Sequence, residues 1–359
     1  MQSKRNLIHL CCGIAVFLSA AALLVFLVDP FFHYHAPWFG LVNTGQDKEY
    51  QIPGILKNFE YDSLLMGSSV VMSMDTDRLD ERFSCETVKA VGGYALAPLL
   101  NYYLECAYAG HELRYVFYGV DVFSFYSNPD MQVIDENVAF LTNRNPFDDV
   151  RYLWNVDVIG QKVPDMLSAT EAEAPGGLLY AFNLWSVTGP EYIVANHTPG
   201  TVPSPTAKPL DYQGEYVTEN LNRLETQVRN HPETEFLFFV PPYHIVWWDN
   251  TYESGLLDTY LYTLECCMER LLVYDNAHFY RTDFNEAGVI TDSNQYMDYI
   301  HGCKEVTDRM AEQIGVEEQE ITLENYREEI GRLREVFTVF RTRVEAEGYG
   351  FLWEPVNPE

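Results

Sequence analysis

Five short apolar runs, each followed by a stretch with helical spacing, constrain this chain more than any other feature. Tyr61–Met66, Thr87–Val91, Arg114–Val120, Glu235–Val240 and His278–Arg281 read as strands. Asp75–Phe83, Ala95–Gly110, Tyr216–Asn230, Gly255–Leu272 and Tyr299–Ile314 read as the intervening and closing helices. Strands that alternate with helices need crossover connections, and crossovers lead to a parallel sheet covered on both faces. The expected fold class is α/β, with a parallel sheet of about five strands.

A long excursion, residues 124–213, interrupts this rhythm. Its Pro/Gly/Thr-rich part, Thr198–Pro209, reads as loop, and insertions of such length often shape a binding site. Asn196-His197-Thr198 is formally a glycosylation sequon, with meaning only if the source cell modifies such sites. The tail, residues 317–359, places Ile321, Leu323, Tyr326, Ile330, Leu333 and Val336 at helical spacing and reads as a packed amphipathic helix.

The N-terminus narrows the location. Lys4 and Arg5 precede Leu7–Val28, whose only ionisable side chains are His9, Cys11 and Cys12. That run is long enough to cross the hydrocarbon core, and flanking positive charges favour a cytoplasmic N-terminus. A cleaved signal peptide is the competing reading, given the small residues Ala20-Ala21-Ala22. The apolar run continues to Val28, which favours an uncleaved single-pass anchor with the remainder extracytoplasmic. The connector 29–57 begins with an aromatic segment in which His33 and His35 alternate, an arrangement better suited to interfacial packing than to a metal.

Composition excludes some partners. With 47% apolar and 14% aromatic residues the chain can bury a large core. A formal charge of −30 argues against nucleic acid, which is bound through Lys and Arg, and against docking on anionic lipid. Cys11 and Cys12 fall in the expected anchor; Cys85, Cys106, Cys266, Cys267 and Cys303 follow no zinc spacing and read as mostly buried free thiols, with a disulfide the alternative outside the membrane. No metal or organic cofactor is implied.

Ligands of open parallel sheets bind beyond the carboxyl ends of the strands. Polar residues gather there in this chain: Gly67-Ser68-Ser69, Gly92-Gly93, Gly119-Val120-Asp121 and Pro241-Pro242-Tyr243-His244, then Asp298 and His301 after the fifth strand. Serine, histidine and aspartate are the parts that make a hydroxyl nucleophilic at neutral pH. Asp298 and His301, spaced i, i+3 at the start of the last helix, would share one helical face. Structural roles compete with these: Ser68-Ser69 or Asp298 as helix caps, and Tyr243, His244, Trp247 and Trp248 as packing.

Gly67-Ser68-Ser69 resembles the Gly-Asp-Ser nucleophile block of the SGNH/GDSL hydrolase superfamily, and Asp298-Tyr299-Ile300-His301 is similar to its Asp-x-x-His block. The resemblance covers roughly residues 58–316, leaving out the anchor (1–28), the insertion and the tail. It implies a flavodoxin-like three-layer α/β/α sandwich and a triad of Ser69, His301 and Asp298. Anchored bacterial relatives with this layout include the D-alanyl transfer protein of teichoic-acid modification and the alginate O-acetylation proteins. The implied activity is that of a serine acyl esterase or O-acyltransferase. Its substrate would be an acylated cell-envelope glycan or polymer, with an acyl-transfer partner in the membrane. The alternative is a non-catalytic binding or scaffold protein of an acylation or export complex.

The resemblance also implies an oxyanion hole built from the Ser69 N–H, a glycine of the second block and an asparagine of the third. Gly93 is preferred to Gly92 because it lies nearer the helix. The third place holds Asp121. An ionised carboxylate 4 Å from an oxyanion would repel it by about 4 kcal/mol at an effective dielectric of about 20. Losing one donor costs roughly 10²–10³ in rate. Asp121 is therefore left to orient loops, to bind substrate with Tyr243 and His244, or to act as a neutral acid.

Overall fold

The structure is a computed structural model that describes residues 2–41, 48–135, 138–143, 145–169, 189–195 and 210–353. The sequon and the Thr198–Pro209 loop expected from sequence lie outside these residues. In chain order the first elements are α1 (Gln2–Val28), α2 (Lys48–Asn58), β1 (Ser63–Gly67), α3 (Thr76–Phe83), β2 (Thr87–Val91), α4 (Ala97–Tyr108) and β3 (Tyr115–Gly119). Short helices α5 (Val150–Leu153), α6 (Val163–Ser168) and α7 (Pro190–Ala195) follow. The chain continues through α8 (Leu210–Asn230), β4 (Glu235–Phe239), α9 (Ile245–Glu253), α10 (Leu257–Leu271), β5 (Ala277–Tyr280) and α11 (Ala287–Ile290). It closes with α12 (Lys304–Gln313), β6 (Glu320–Ile321) and α13 (Tyr326–Glu347).

Contacts divide the chain into two units, residues 1–60 with 134–180 and residues 61–133 with 181–359. The excursion read as one insertion is thus shared between them.

In the first unit, α1 is long and apolar enough to cross a membrane, a length and composition that a signal sequence also has. Its C-terminal turn is closed by Asp29, a buried carboxylate that accepts the N–H groups of His33, Tyr34 and His35 and the Tyr152 hydroxyl, at 2.7–3.0 Å. His33 and His35 take separate partners. His33 Nε2 lies 3.1 Å from Asp149, whereas the His35 ring stacks on Trp38 at 3.6 Å. Gly54 in α2 sits where a Cβ would come within 2.4 Å of the Phe31 carbonyl, so the two backbones pack in contact there.

The second unit contains a six-stranded sheet in the order β2-β1-β3-β4-β5-β6, in which β6 alone is antiparallel. Alternate residues of the central strands are buried on both faces, which explains why they read as continuous apolar runs such as Phe236-Leu237-Phe238-Phe239. On one face Leu65, Val91, Phe117 and Leu237 share a core cluster with Leu79 of α3 and Val306 and Met310 of α12. Each such fully buried side chain contributes about 1.5–3 kcal/mol. Helices α4, α8 and α10 pack in succession, and α13 lies against α10 and α9.

Three expectations are corrected. The sheet is mixed, because β6 pairs Ile321 with Phe279 and Glu320 with Tyr280. Two residues are too few for a period to show. The tail therefore begins as an edge strand of this sheet. Its helix, α13, buries Tyr326, Ile330, Leu333, Phe337 and Phe340, a stripe that runs through Phe337 rather than Val336. The helix expected over Tyr299–Ile314 starts only at Lys304, so Asp298 and His301 lie on a loop.

Candidate active site

From β1 the chain runs outward to β2, then returns to the other side of β1 as β3. The carboxyl ends of β1 and β3 therefore flank a switch point, where open α/β sheets leave a crevice. Gly67 closes β1 with φ +148°, and a Cβ on it would meet Val71 Cγ2 at 2.7 Å. A Cβ on Gly119, which ends β3, would meet Val71 Cγ1 at the same distance. The Val71 side chain thus fills the space above both glycines, and the turn beneath it carries Ser69. Gly67→Ala should cost about 2–5 kcal/mol, combining strained backbone with overpacking. Urea unfolding in detergent measures this. Adding Val71→Ala should return the steric part only, and an unchanged midpoint in Gly67→Ala would contradict the account.

Ser69 does not cap α3, whose N-cap is Asp75, with the carboxylate accepting the Asp77 N–H at 3.2 Å. Instead it occupies the tight turn between β1 and α3, where the Met72 N–H reaches its carbonyl at 3.3 Å. Lys89 supports this turn from β2. It is 1% exposed and donates Nζ to the Met72 carbonyl at 3.1 Å. Burial lowers its pKa to about 8, against the raising effect of Asp75 and Asp77. Sequence reading passed over Lys89, although a cation inside the run Thr87–Val91 was the available signal.

The other half of the site is a loop closed by the Tyr296–Gly302 bridge and by the Met297 N–H on the His301 carbonyl at 2.9 Å. Asp298 Oδ1 accepts the N–H groups of Ile300 and His301, each at 2.7 Å. This local turn, rather than a helical face, brings the carboxylate to the imidazole. Asp298 Oδ2 lies 2.8 Å from His301 Nδ1, and His301 Nε2 lies 2.8 Å from Ser69 Oγ. Burial raises the Asp298 pKa, but the hydrogen bonds and charge of His301 outweigh it and hold the carboxyl below its ordinary value. An ionised Asp298 accepts only, so Nδ1 carries the proton and Nε2 is free to accept from the Ser69 hydroxyl.

The three residues expected to touch substrate are buried: Asp121 and Tyr243 are 1% exposed and His244 is 0%. Asp121 Oδ2 accepts the Ser68 N–H at 3.1 Å, and Oδ1 accepts the Tyr243 hydroxyl. Burial pushes the Asp121 carboxyl up, while the Tyr243 and Ser68 hydrogen bonds and the His301 charge oppose this. His244 Nδ1 accepts the Val246 N–H at 3.2 Å and caps α9, and its Nε2 lies 3.2 Å from Ser293 Oγ. Direct substrate contact does not fit this burial, because the polar atoms of all three already face protein groups. Trp247 and Trp248 are likewise in the core.

The two glycines differ. The Gly92 N–H donates to the Gly67 carbonyl at 3.3 Å, whereas Gly93 is exposed and its N–H has no acceptor among the described residues. The Ser69 N–H also has none among them. Among the described residues no group of three or more His, Cys, Asp or Glu is arranged to hold a metal ion. The cysteines there are free thiols, with Cys85, Cys267 and Cys303 buried. Compared with protein-family models, curated proteins and solved structures, the chain finds no match.

Proposed function

We propose that the chain is a membrane-anchored serine acyl esterase or O-acyltransferase of the SGNH type. Its substrate would be an acylated extracytoplasmic glycan or polymer of the cell envelope. The observation that carries this reading is the unbroken chain from Ser69 Oγ through His301 to Asp298, with both links at 2.8 Å. Side chains within hydrogen-bond reach favour catalysis over the alternative of a binding scaffold. The strand order β2-β1-β3-β4-β5 supports a flavodoxin-like sandwich. The apolar α1 supports a single-pass anchor with the catalytic unit outside.

In the proposed reaction Ser69 Oγ attacks the acyl carbonyl carbon while His301 Nε2 takes its proton. Asp298 holds the imidazole and stabilises the imidazolium. The carbonyl oxygen becomes an oxyanion facing the Ser69 and Gly93 N–H groups. Collapse breaks the bond to the leaving alkoxide, which takes the proton back from His301 and departs as the alcohol. Water or a sugar hydroxyl then attacks the acyl-Ser69 ester, giving its proton to His301. The tetrahedral intermediate collapses, Ser69 is reprotonated, and the acid or the acylated sugar leaves.

Full-length protein in detergent, given p-nitrophenyl acetate with and without a soluble hexose, separates the two outcomes. Free acetate alone marks an esterase, whereas acetylated sugar marks a transferase. Release no faster than buffer in both mixtures would count against the catalytic reading.

A further inference from the structure

Two irregular loops carry Ser69 and the Asp298–His301 pair, and the turn after β4 grips both. Toward the nucleophile, the Tyr243 hydroxyl bonds Asp121, and Asp121 bonds the Ser68 N–H at 3.1 Å. Toward the acid–base loop, His244 Nε2 meets Ser293 Oγ at 3.2 Å, and the Pro242 carbonyl accepts the Tyr296 hydroxyl at 2.9 Å. Every side chain in these links is at most 1% exposed, so water does not substitute for a lost partner at low cost.

The turn is itself rigid. Pro241 and Pro242 fix two φ angles, and Thr282 Oγ1 donates to the Val240 carbonyl at 2.6 Å. The Tyr243 ring stacks on Trp247 at 4.3 Å, and His244 caps α9. Because His244 Nδ1 accepts the Val246 N–H, its proton sits on Nε2 and is donated to Ser293. Burial pushes the His244 pKa down to about 3, so the ring keeps the neutral form that this double role needs.

We propose that Tyr243 and His244 are positioning residues which, from one rigid turn, set the nucleophile loop and the acid–base loop against each other. This rests on Ser69 being the nucleophile. Tyr243 acts through Asp121 on the Ser68 peptide, and so on the N–H and hydroxyl of the next residue. His244 acts through Ser293 on the segment that leads into Asp298. Reacting groups misplaced by about 1 Å lose on the order of 10² in rate, so a brace shared by both loops has leverage on the chemistry.

The test uses full-length protein in detergent. It has two readouts: the second-order rate of labelling by a fluorophosphonate, and hydrogen exchange of peptides 64–72 and 292–301. Tyr243→Phe should slow labelling by about tenfold or more and speed exchange in 64–72 only. Ser293→Ala should also slow labelling but speed exchange in 292–301 only. His244→Asn keeps the cap yet falls short of Ser293, and should copy it. Asp121→Asn keeps an acceptor for the Ser68 N–H and a donor for Tyr243. It should stay within about threefold of wild type, whereas Asp121→Ala should resemble Tyr243→Phe.

Wild-type labelling and loop exchange in both Tyr243→Phe and Ser293→Ala would overturn the proposal, even with lowered thermal stability. If Tyr243→Phe does not fold, the Asp121→Asn and Asp121→Ala pair decides the same link. Wild type that never labels, with exchange responding as described, would leave the brace standing and remove the nucleophile reading.

Discussion

Ser69→Ala is expected to lower ester turnover by roughly 10⁴- to 10⁶-fold while leaving the fold intact. The hydroxyl is the only atom removed, and the chain holds it by its turn rather than through the hydroxyl. The Met72 N–H bonds the Ser69 carbonyl, and Ser68 is held by Asp121. Unfolding curves should therefore overlay those of wild type. Residual activity should come from the proposed backbone donors, the Ser69 and Gly93 N–H groups. Removing His301 as well should add little, because groups acting as one unit are not additive. Turnover retained within a few-fold in Ser69→Ala would mean that another group performs the chemistry.

Asp298→Asn is expected to cost about 10⁴-fold in kcat with little change in KM. The amide can keep one oxygen for the Ile300 and His301 N–H groups, so the loop should persist. Its NH₂ group would then face His301 Nδ1 and favour the tautomer with the proton on Nε2, the nitrogen that must accept from Ser69. The same change reaches stability. A carboxyl held below its ordinary value adds stability that is fully present above the unfolded pKa of about 4 and fades as pH falls through the folded value. Asp298→Asn should flatten that acid limb by lowering stability at neutral pH, where the ionised carboxyl contributes, while changing little below the folded pKa. Urea unfolding at several pH values checks it, and an unaltered acid limb would contradict the placement of Asp298.

The alternation of strands and helices was legible because strands buried on both faces leave unbroken apolar runs, and Thr87–Val91 kept its expected bounds. The residues of the Ser69–His301–Asp298 chain were legible as types and as strand-end positions. The means of joining them was not. An i, i+3 pair suggests a helix, yet Asp298 folds the backbone of Ile300 and His301 onto its own side chain, a competition that short polar residues offer to helix formation. The bracing contacts were hidden for another reason. Tyr243 to Asp121, and His244 to Ser293, join residues far apart in sequence, and no local pattern carries such a link. Sequence leaves packing and substrate contact equally open for Tyr243 and His244, and neither reading contains the hydrogen bonds that give the packing a direction.

The most direct test of the central claim is the intact mass of full-length protein after exposure to a fluorophosphonate, beside Ser69→Ala. Activation of the Ser69 hydroxyl by His301 predicts one adduct on the wild-type chain and none on the variant. An unmodified wild-type chain with a cooperative unfolding transition, or equal labelling of both proteins, would contradict it.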